Sequence, residues 1–418
     1  MAQLSDDCFA FGGPLLSVDD VERLMFERVQ PVAEHQTVRL AEASGRVLAE
    51  DLIAPIDLPP FDNSAVDGYA VCHADLEAAG ETRLVVADHV RAGHVSDRPA
   101  RAGEAIRIFT GAPMPARTDT VFMQEDCRTE DGCVIVPPGL AAGANRRLAG
   151  EDVRAGTVAL PAGRRLGPQH IALAAALGVT ELRVRRRVRV ALFSTGDEIV
   201  DPGAARPAPA LFDANRRLLA EMLARLGAEV TDVGILADDP GRLRSALARA
   251  ADDHDLVLTS GGVSTGEADH VRAAVEAIGH LVFWRIAIKP GRPVAMAVVK
   301  GAAFVGVPGN PVAAFVTFVR VVRPLLFRLA GALAEPMIAL PVRAGFSYRK
   351  RKGRREYVRV TLARSEDGTI EASKYPQDGA GVLSSLTESS GLVELDEETT
   401  RVEPGQQVGF LPHAVLIS

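Results

Sequence analysis

Four loops in the second half of this 418-residue sequence have the composition of ligand-binding loops. Each follows an apolar, strand-like run and combines small residues with carboxylates or with a proline-glycine turn. Glycines in such loops let the backbone approach a ligand closely, and the exposed N–H groups suit phosphate oxygens. The residues that we expect to bind a phosphorylated ligand are Ser194, Thr195, Gly196, Ser260, Gly261, Gly262, Ser264, Pro308, Gly309, Asn310 and Pro311.

Three acidic residues accompany these loops, namely Glu198, Asp238 and Asp269. Proteins usually hold Mg²⁺ with carboxylates and phosphate oxygens, so these residues could bind a divalent ion that screens a phosphate. Structural roles are the alternative, because Asp238 could act only as a helix N-cap beside Asp239, and Pro311 could simply open the next helix. The coincidence of four such loops favours a ligand site over isolated turns.

Cationic residues lie in the segment WRIAIKPGRP, where Arg285, Lys289 and Arg292 could reach an anion from the other side. The sequence has neither a P-loop lysine motif nor GxGxxG, which disfavours P-loop NTPases and dinucleotide dehydrogenases. The loops contain no histidine except His270, which we expect to point into the following helix, so a nucleophile with a base is missing. These patterns favour electrostatic positioning of a phosphorylated ligand around a metal over covalent catalysis.

Apolar strand-like runs alternate with helix-like stretches between residues 188 and 333. This alternation predicts βαβ units and a central three-layer α/β domain with a parallel sheet. Asp213 and Asp239 are expected to cap helices, and Gly227 is expected to end one. Ligands of open α/β sheets bind beyond the carboxyl ends of the strands, so the four loops should meet at one edge.

Two other regions resemble small β domains, with short β-favouring runs and many Gly, Pro and Asp residues. The first spans residues 55–146, and the second is a C-terminal β module of residues 334–418. Residues 17–54 and 147–187 carry amphipathic helices on either side of the first. This order predicts an inserted β domain within a helical and mixed linker domain, whose first helix packs on the central domain. The segment YRKRKGRREYVRV of the C-terminal module could form a basic hairpin.

Composition favours a soluble globular protein, with 47% hydrophobic and 24% charged residues. A formal net charge of -7 argues against a nucleic-acid binder, and no apolar run approaches the roughly 20 residues of a membrane span. The four cysteines form no CxxC pair, which disfavours zinc and redox sites. The acidic start lacks the apolar region of an export signal, so we expect a cytoplasmic protein.

Six motifs occur together in one known family. They are PPFDNSAVDGYAV (residues 59–71), IRIFTGAPMP (106–115), ALFSTGDE (191–198), TSGGVSTGEADH (259–270), IAIKPGRP (286–293) and VGVPGNPV (305–312). In this order they resemble the molybdopterin molybdenumtransferases, which include the E domain of gephyrin, and the resemblance covers nearly the whole chain. It implies an elongated homodimer of four-domain subunits. It further implies that molybdate is inserted into adenylylated molybdopterin with Mg²⁺ present, while the phosphoanhydride is cleaved and AMP leaves.

The resemblance assigns catalytic roles to five residues. Glu198, Asp238 and Asp269 match the acidic site residues of the family, in keeping with their proposed metal-binding role. Asp62 and Thr110 match positions in the inserted β domain, which in such dimers faces the α/β domain of the partner.

The resemblance also assigns residues to the pocket and to molybdate. The loop from Pro308 to Pro311 matches the one that shapes the pocket floor. Arg285, Lys289 and Arg359 match cationic positions suited to an oxyanion, and Arg285 and Arg292 both stand where many members have lysine. All four basic residues are therefore expected to bind molybdate. Ala380 stands where the family often has serine, so Ser384 and Ser385 become candidates to replace that hydroxyl.

Two alternative functions share part of this pattern. A molybdopterin-binding scaffold that has lost its chemistry should lack Glu198, Asp238 or Asp269, and all three are present. The molybdopterin adenylyltransferase that acts in the preceding step shares the α/β domain but does not need the long flanking β regions. The expected partners are a second copy of the chain, and possible further partners are that adenylyltransferase and molybdoenzyme apoproteins.

Overall fold

The structure is a computed structural model that describes residues 15–32, 34–263 and 270–417. Ser264 and Asp269, two residues of the predicted site, lie outside these residues. The fold class predicted from the sequence is confirmed, because a central α/β domain, an inserted β domain, a mixed linker region and a C-terminal β module are all present. Within the described residues, every helix is too short or too polar to traverse a bilayer.

The linker region begins with an amphipathic helix. Its elements are α1 (Val18–Arg28), β1 (His35–Arg39), a 3₁₀ turn (Leu40–Glu42) and β2 (Leu52–Ile53). Ser17 caps α1 in a reciprocal capping box with Asp20, while Val18, Val21 and Met25 form its buried face. That face joins the core of the central domain, so α1 lies against the central domain.

The inserted domain is almost entirely β. Its elements are β3 (Asn63–Ser64), β4 (Gly68–Val71), β5 (Thr82–Val90), β6 (Glu104–Ile108), β7 (Thr120–Met123), β8 (Arg128–Glu130), β9 (Cys133–Val136) and β10 (Arg146–Arg147), with 3₁₀ turns at His73–Asp75 and Gln124–Asp126. Six strands form one sheet in the order β7-β4-β6-β5-β9-β8. The first and last strands, β3 and β10, instead pair with each other.

The chain then returns to the linker region through β11 (Val158–Leu160), α2 (Pro168–Ala176) and β12 (Glu181–Arg185). β11 pairs with β2 and β12 pairs with β1, both in antiparallel fashion. Together with the β3/β10 pair, these ladders join the entering and leaving segments of the chain three times. This pairing explains how a whole domain is inserted without separating the two halves of the linker region.

The central domain alternates strands and helices. Its elements are β13 (Arg189–Thr195), β14 (Ile199–Val200), β15 (Leu211–Phe212), α3 (Ala214–Arg225), β16 (Glu229–Leu236), α4 (Pro240–Asp253), β17 (Leu256–Ser260), α5 (His270–Ile278), β18 (Gly279–Arg285), β19 (Ile288–Lys289), β20 (Pro293–Val299) and β21 (Ala302–Val307). The side chains of Asp213 and Asp239 cap α3 and α4, and Gly227 follows α3 with a φ of 86°, so these three predictions are confirmed.

The main sheet has the strand order β16-β13-β17-β21-β20-β18. Strands β16, β13, β17 and β21 are parallel, whereas β20 runs antiparallel to both of its neighbours. The sheet is therefore mixed rather than wholly parallel. The reason is the short link between β20 and β21, where Lys300 and Gly301 both have positive φ, as in a two-residue hairpin turn.

The buried strands of this sheet supply two cores. Leu192 and Leu258 pack on one face with α1 and α3, while Phe193 and Val257 pack on the other with α4 and α5. Because successive strand residues point to opposite faces, a sheet covered on both sides needs continuous apolar runs. That requirement explains the runs VALFS and LVLTS that marked these strands in the sequence.

The last helix of the central domain is interrupted by a wider turn. It consists of α6 (Pro311–Thr317), a π-helical turn (Phe318–Val322) and α7 (Arg323–Leu329). Pro324 has no N–H, and its ring crowds the carbonyl group of Arg320 four residues earlier, which accounts for the irregular turn. α1 packs on this helix, where the Arg328 side chain donates to the carbonyl oxygen of Val29 at 2.8 Å.

The C-terminal module forms a closed sheet. Its elements are β22 (Leu340–Ala344), β23 (Tyr348–Arg349), β24 (Arg355–Arg364), β25 (Ile370–Lys374), α8 (Ser384–Glu388), β26 (Gly391–Leu395), β27 (Arg401–Val402), β28 (Gln407–Pro412) and α9 (His413–Leu416). The sheet order β24-β25-β22-β28-β26 returns to β24, and β19 of the central domain also pairs with β24. The predicted basic hairpin is wrong, because β23 pairs with β27 rather than with β24.

Candidate active site

The four candidate loops emerge at one edge of the main sheet. They follow β13, β16, β17 and β21, which are parallel and adjacent, so their carboxyl ends lie side by side. β18 runs parallel to β21, since both are antiparallel to β20, and its carboxyl end therefore reaches the same edge. The segment from Arg285 to Arg292 thus begins where the candidate loops begin.

Glycines after β13 and β17 allow two of these loops to touch. A Cβ atom at Gly261 would lie 2.6 Å from the carbonyl oxygen of Thr195, and one at Gly262 would lie 2.4 Å from a methyl group of Val271. Both glycines also have positive φ, as does Gly196 at 138°. A side chain at any of these positions would force the loops apart or strain the backbone.

Hydroxyl groups at the same strand ends lack partners. Ser194 and Thr195 are buried, with 1% and 4% exposure, and within the described chain their hydroxyl oxygens have no hydrogen-bond partner. The Thr195 hydroxyl lies beside the Gly261 and Gly262 turn. Unsatisfied buried hydroxyls are uncommon in proteins, and polar groups of a ligand at this turn would offer them partners.

Acidic residues of the first two loops lie close enough to interact. Burial raises the pKa of Asp238 above its usual value, and the neighbouring carboxylates of Asp197 and Glu198 raise it further, while His270 opposes them. The backbone N–H of Asp238 also donates to the Asp197 carboxylate at 3.3 Å. Asp238 therefore lies within interaction range of Glu198 and of His270, the first residue of α5.

The third predicted metal ligand, Asp269, lies outside the residues that the structure describes. The described part of the chain contains no group of three or more Asp, Glu, His or Cys side chains arranged to hold a metal ion. The carboxylates of Glu198 and Asp238 are nonetheless the oxygen donors that Mg²⁺ prefers. Their mutual repulsion would be relieved by a cation.

Asn215, in the first turn of α3, connects two of the loops and was missed by sequence reasoning. Its side-chain amide donates to the hydroxyl oxygen of Ser260 at 2.9 Å and to the carbonyl oxygen of Gly309 at 2.8 Å. The residue is 8% exposed, so these bonds are shielded from water. The sequence could have indicated Asn215 by its position two residues after the predicted cap Asp213. That cap places the first turn of α3 at the carboxyl edge of the sheet.

The PGNP loop, residues 308–311, forms a wall between two parts of the site. Pro311 does open α6, as the structural alternative proposed, and the Asn310 side chain makes no capping hydrogen bond there. The N–H of Val312 donates to the carbonyl oxygen of Ala380 at 3.0 Å. The C-terminal module therefore covers the start of α6.

A cavity of about 540 Å³ opens between the central domain and the C-terminal module. Pro308 and Asn310 line it on the side of the PGNP loop, and three of the predicted molybdate ligands, Lys289, Arg292 and Arg359, line it together. Arg285 is exposed and does not belong to the lining.

Basic residues dominate this cavity. Among the described residues that line it, Asp378 is the only acid, whereas seven are basic, namely Lys289, Arg292, Arg351, Lys352, Arg354, Arg359 and Lys374. Four of these seven, Arg351, Lys352, Arg354 and Arg359, come from the basic segment that the sequence suggested to be a hairpin. An excess of clustered cations in a concave site attracts anions, and a dianion such as molybdate suits it.

Arg359 serves the architecture of the cavity as well as its charge. Its guanidinium group donates to the carbonyl oxygens of Gln377 and Gly379 at 3.0 and 2.8 Å and to the Ser385 hydroxyl at 3.1 Å. Burial lowers the pKa of Arg359 from its usual value. These bonds hold the segment that carries Ala380, which lines the cavity.

Neither of the two candidate serines supplies a hydroxyl group in place of the one absent at position 380. Ser385 is buried, and its hydroxyl group is engaged with Arg359 and with the carbonyl oxygen of Val382. Neither Ser384 nor Ser385 belongs to the described lining of the cavity, where the hydroxyl groups are those of tyrosines.

The two predicted residues of the inserted domain lie apart from the cavity lining. The Asp62 carboxylate accepts from the N–H of Ala149 at 2.8 Å. Thr110 donates its backbone N–H and its hydroxyl to the Asp67 carboxylate, both at 2.8 Å, and these bonds lower the pKa of Asp67. Among the described residues of one chain, neither Asp62 nor Thr110 lines the cavity.

Comparison with protein families identifies three consecutive regions of the chain. Residues 16–178 match the family described as the MoeA N-terminal region (domain I and II). Residues 191–328 match the probable molybdopterin binding domain, and residues 341–413 match the MoeA C-terminal region (domain IV).

Relatives of similar length extend these matches over nearly the whole chain. The molybdopterin molybdenumtransferase of Haemophilus influenzae is 37% identical over 401 residues, which cover 95% of this chain and 98% of that protein. The protein of the same name from a Nostoc species is 34% identical over 94% of this chain and 93% of its own length. The crystal structure of the molybdopterin biosynthesis MoeA protein from Pyrococcus horikoshii superposes with a TM-score of 0.81 at 28% identity, covering 96% of this chain and 100% of that one.

Proposed function

Because this chain belongs to the molybdopterin molybdenumtransferase family and so acts in molybdenum cofactor biosynthesis, we propose that it inserts molybdate into adenylylated molybdopterin and releases AMP. The observation that carries this proposal is the basic cavity on one side of the PGNP loop. Among the described residues, seven cations and one acid line it, and its volume of about 540 Å³ is large enough for more than an oxyanion.

The other side of the PGNP loop supports a place for the diphosphate of the substrate. Glycine turns, unpartnered hydroxyl groups and the Asn215 bridge gather there beside Glu198 and Asp238. Asn215 reaches the PGNP loop from this side, while Pro308 and Asn310 face the cavity on the other. A single elongated substrate could therefore present its phosphates to one side and its metal-accepting end to the other.

The carboxylates fit the Mg²⁺ that the family resemblance implies. The raised pKa of Asp238 shows that its ionised form is disfavoured by burial and by its acidic neighbours, a situation that a bound cation would reverse. Glu198 and Asp238, together with Asp269, would hold Mg²⁺, which when bound supplies positive charge to the phosphate oxygens. The chain itself positions these carboxylates at the ends of β13 and β16.

We further infer that the active unit is a homodimer. Asp62 and Thr110 are predicted catalytic residues, yet neither lines the cavity within the described residues of one chain. Pairing of two copies would let the inserted domain of one protomer face the site of its partner. Mixing an Asp62→Ala chain with a Lys289→Ala chain should then restore part of the activity, because one site of the mixed dimer is intact.

The direct test is AMP release. Anaerobic incubation of the protein with adenylylated molybdopterin, Mg²⁺ and molybdate should release AMP and yield cofactor that activates a molybdoenzyme apoprotein. Omission of molybdate and addition of a chelator serve as separate controls. Absence of AMP release from protein that is folded and dimeric would refute the proposal.

A further inference from the structure

We propose that Glu356, a residue outside the predicted site, positions Lys289 for oxyanion binding, and this inference rests on the function proposed above. The carboxylate lies behind the cavity wall, because Glu356 is 1% exposed and is absent from the described lining. Lys289, in contrast, is exposed and lines the cavity. Glu356 would therefore act on a bound oxyanion only through other residues.

Three donors of the cavity wall converge on this carboxylate. The Tyr348 hydroxyl donates to Oε2 at 2.8 Å, and the Lys289 ammonium donates to the same oxygen at 3.1 Å. The Arg354 guanidinium donates to Oε1 at 2.6 Å. Tyr348 also accepts from the Lys289 ammonium at 3.2 Å, so hydroxyl, ammonium and carboxylate form a closed triangle. All three donors line the cavity, so the buried Glu356 carboxylate fixes three side chains of the cavity wall.

The backbone places Lys289 and Glu356 opposite each other. β19 pairs in parallel with β24, and the register sets Ile288 against Arg355 and Lys289 against Glu356. The two strands belong to different domains, so the ion pair bridges the boundary that the cavity follows. This pairing fixes the backbone of Lys289 at the cavity wall, so its long side chain starts from a defined position.

The charge of the cavity explains why Lys289 needs such a partner. In the described part of the chain, six other basic residues line the same space, and their repulsion would favour lysine rotamers that point into solvent. Burial disfavours the ionised form of Glu356, but the bonds from Tyr348, Arg354 and Lys289 lower its pKa overall, which keeps it negative. An ionised and immobile carboxylate holds the ammonium beside the cavity.

Positioning and simple neutralisation predict opposite effects of Glu356→Gln. If Glu356 only reduced the positive charge of the cavity, its loss would strengthen the binding of an anion. If it positions Lys289, its loss weakens binding despite the added positive charge. Glu356→Asp separates the two further, because it keeps the charge but withdraws the carboxylate from its three donors.

The experiment is isothermal titration of the full-length protein with sodium molybdate alone. Glu356→Gln and Glu356→Asp should each weaken molybdate binding about tenfold, the effect of losing one hydrogen bond to a charged group. Glu397→Gln is the matched control, since Glu397 also binds an arginine of the same module, Arg355 at 3.0 Å, but Arg355, unlike the three donors to Glu356, does not line the cavity. Unchanged or tighter binding in either Glu356 variant would overturn the positioning role.

Two further comparisons keep the outcome interpretable. If both Glu356 variants fail to fold, Tyr348→Phe decides, because it removes the hydroxyl that accepts from Lys289 and donates to Glu356 and so opens the triangle. Weaker molybdate binding supports the inference, and unchanged binding overturns it. Failure of the wild-type protein to bind molybdate or release AMP would refute the proposed function itself. Normal wild-type activity with unchanged binding in the variants would refute the positioning role alone.

Discussion

The acidic and basic sides of the PGNP loop are built in different ways. On the acidic side, Glu198 and Asp238 come from loops of neighbouring parallel strands within one domain. On the basic side, Lys289 comes from the central domain and Glu356 from the C-terminal module. Burial and like charges raise the pKa of Asp238, whereas hydrogen bonds lower that of Glu356.

This difference shows which side still needs a partner. The carboxylates of the acidic side repel one another and gain stability when a cation arrives. Part of the positive charge on the basic side is already balanced by Glu356, and what remains is available to an anion. The same type of side chain is thus left uncompensated where a cation is expected and is fully hydrogen-bonded where an anion is expected.

Loss of Lys289, on the basic side, should reduce AMP release more than any other substitution considered below. Lys289→Ala removes a cation from the cavity wall and leaves Glu356 with one donor fewer, so AMP release should fall by roughly a hundredfold. Steady-state assays at varied molybdate concentration measure it. Lys300→Ala is the control, because Lys300 pairs with Asp252 at 2.8 Å at the opposite edge of the sheet. Equal activity of the two variants would contradict the assignment of Lys289.

Asp238→Asn should separate activity from stability on the acidic side. Turnover should fall by tens of fold, on the order of 2 kcal/mol of transition-state stabilisation. Without Mg²⁺, the variant should melt at a higher temperature than the wild type at neutral pH, because it removes a carboxylate whose ionised form is disfavoured in the folded state.

The pH dependence of this stabilisation has a definite sign. The pKa of Asp238 is raised on folding, so the cost of its ionised form is present above that pKa and disappears as the pH falls through it. The advantage of Asp238→Asn should therefore shrink in acid, as followed by thermal melts across pH. Asp239→Asn is the matched control, since asparagine caps a helix as well as aspartate does. An advantage that grows in acid would contradict the assignment.

Asn215→Ala tests the link between the two sides and should reduce activity less than the two substitutions above. The substitution leaves Ser260 and the carbonyl group of Gly309 without their donor, at a cost of about 1 to 3 kcal/mol in the free energy of unfolding. The KM for adenylylated molybdopterin should rise several-fold while kcat changes less, because the loops are displaced rather than removed. A loss of stability with an unchanged KM would show that Asn215 has only a structural role.

Arg285→Ala should have the smallest effect. Arg285 is exposed and lies outside the described lining of the cavity, so AMP release should change by less than about threefold. Arg292→Ala, at a residue that does line the cavity, provides the comparison in the same assay. A loss as large as that of Lys289→Ala would place Arg285 in the site after all.

The acidic side was accessible from the sequence because its geometry is local. A strand followed by glycines and acids predicts a loop at the carboxyl edge, and adjacent parallel strands bring such loops together. The antiparallel direction of β20 was missed although Lys300 and Gly301 form a hairpin turn, because the apolar runs on either side look alike in parallel and antiparallel strands.

The basic side was only partly accessible because it depends on distant pairing. The cationic segment pointed to Lys289 and the resemblance supplied Arg359, but nothing local in the sequence joins Lys289 to Glu356, which is 67 positions away. The basic segment was noticed as a patch, yet its strand at Tyr348 pairs with Val402 rather than with its own continuation. Strand partners at such separations are selected by tertiary packing, which residue spacing does not reveal.

The paired ladders at the base of the inserted domain have a consequence for synthesis on the ribosome. His35 finds its partner Arg185 only after the whole inserted domain has been translated. The sheet of that domain, however, draws all its strands from between β3 and β10 and can form while β1 is still single. Once formed, it brings its own ends together and so shortens the loop that β1 and β12 must close. The inserted domain of the nascent chain can therefore fold before the linker region on either side of it is complete.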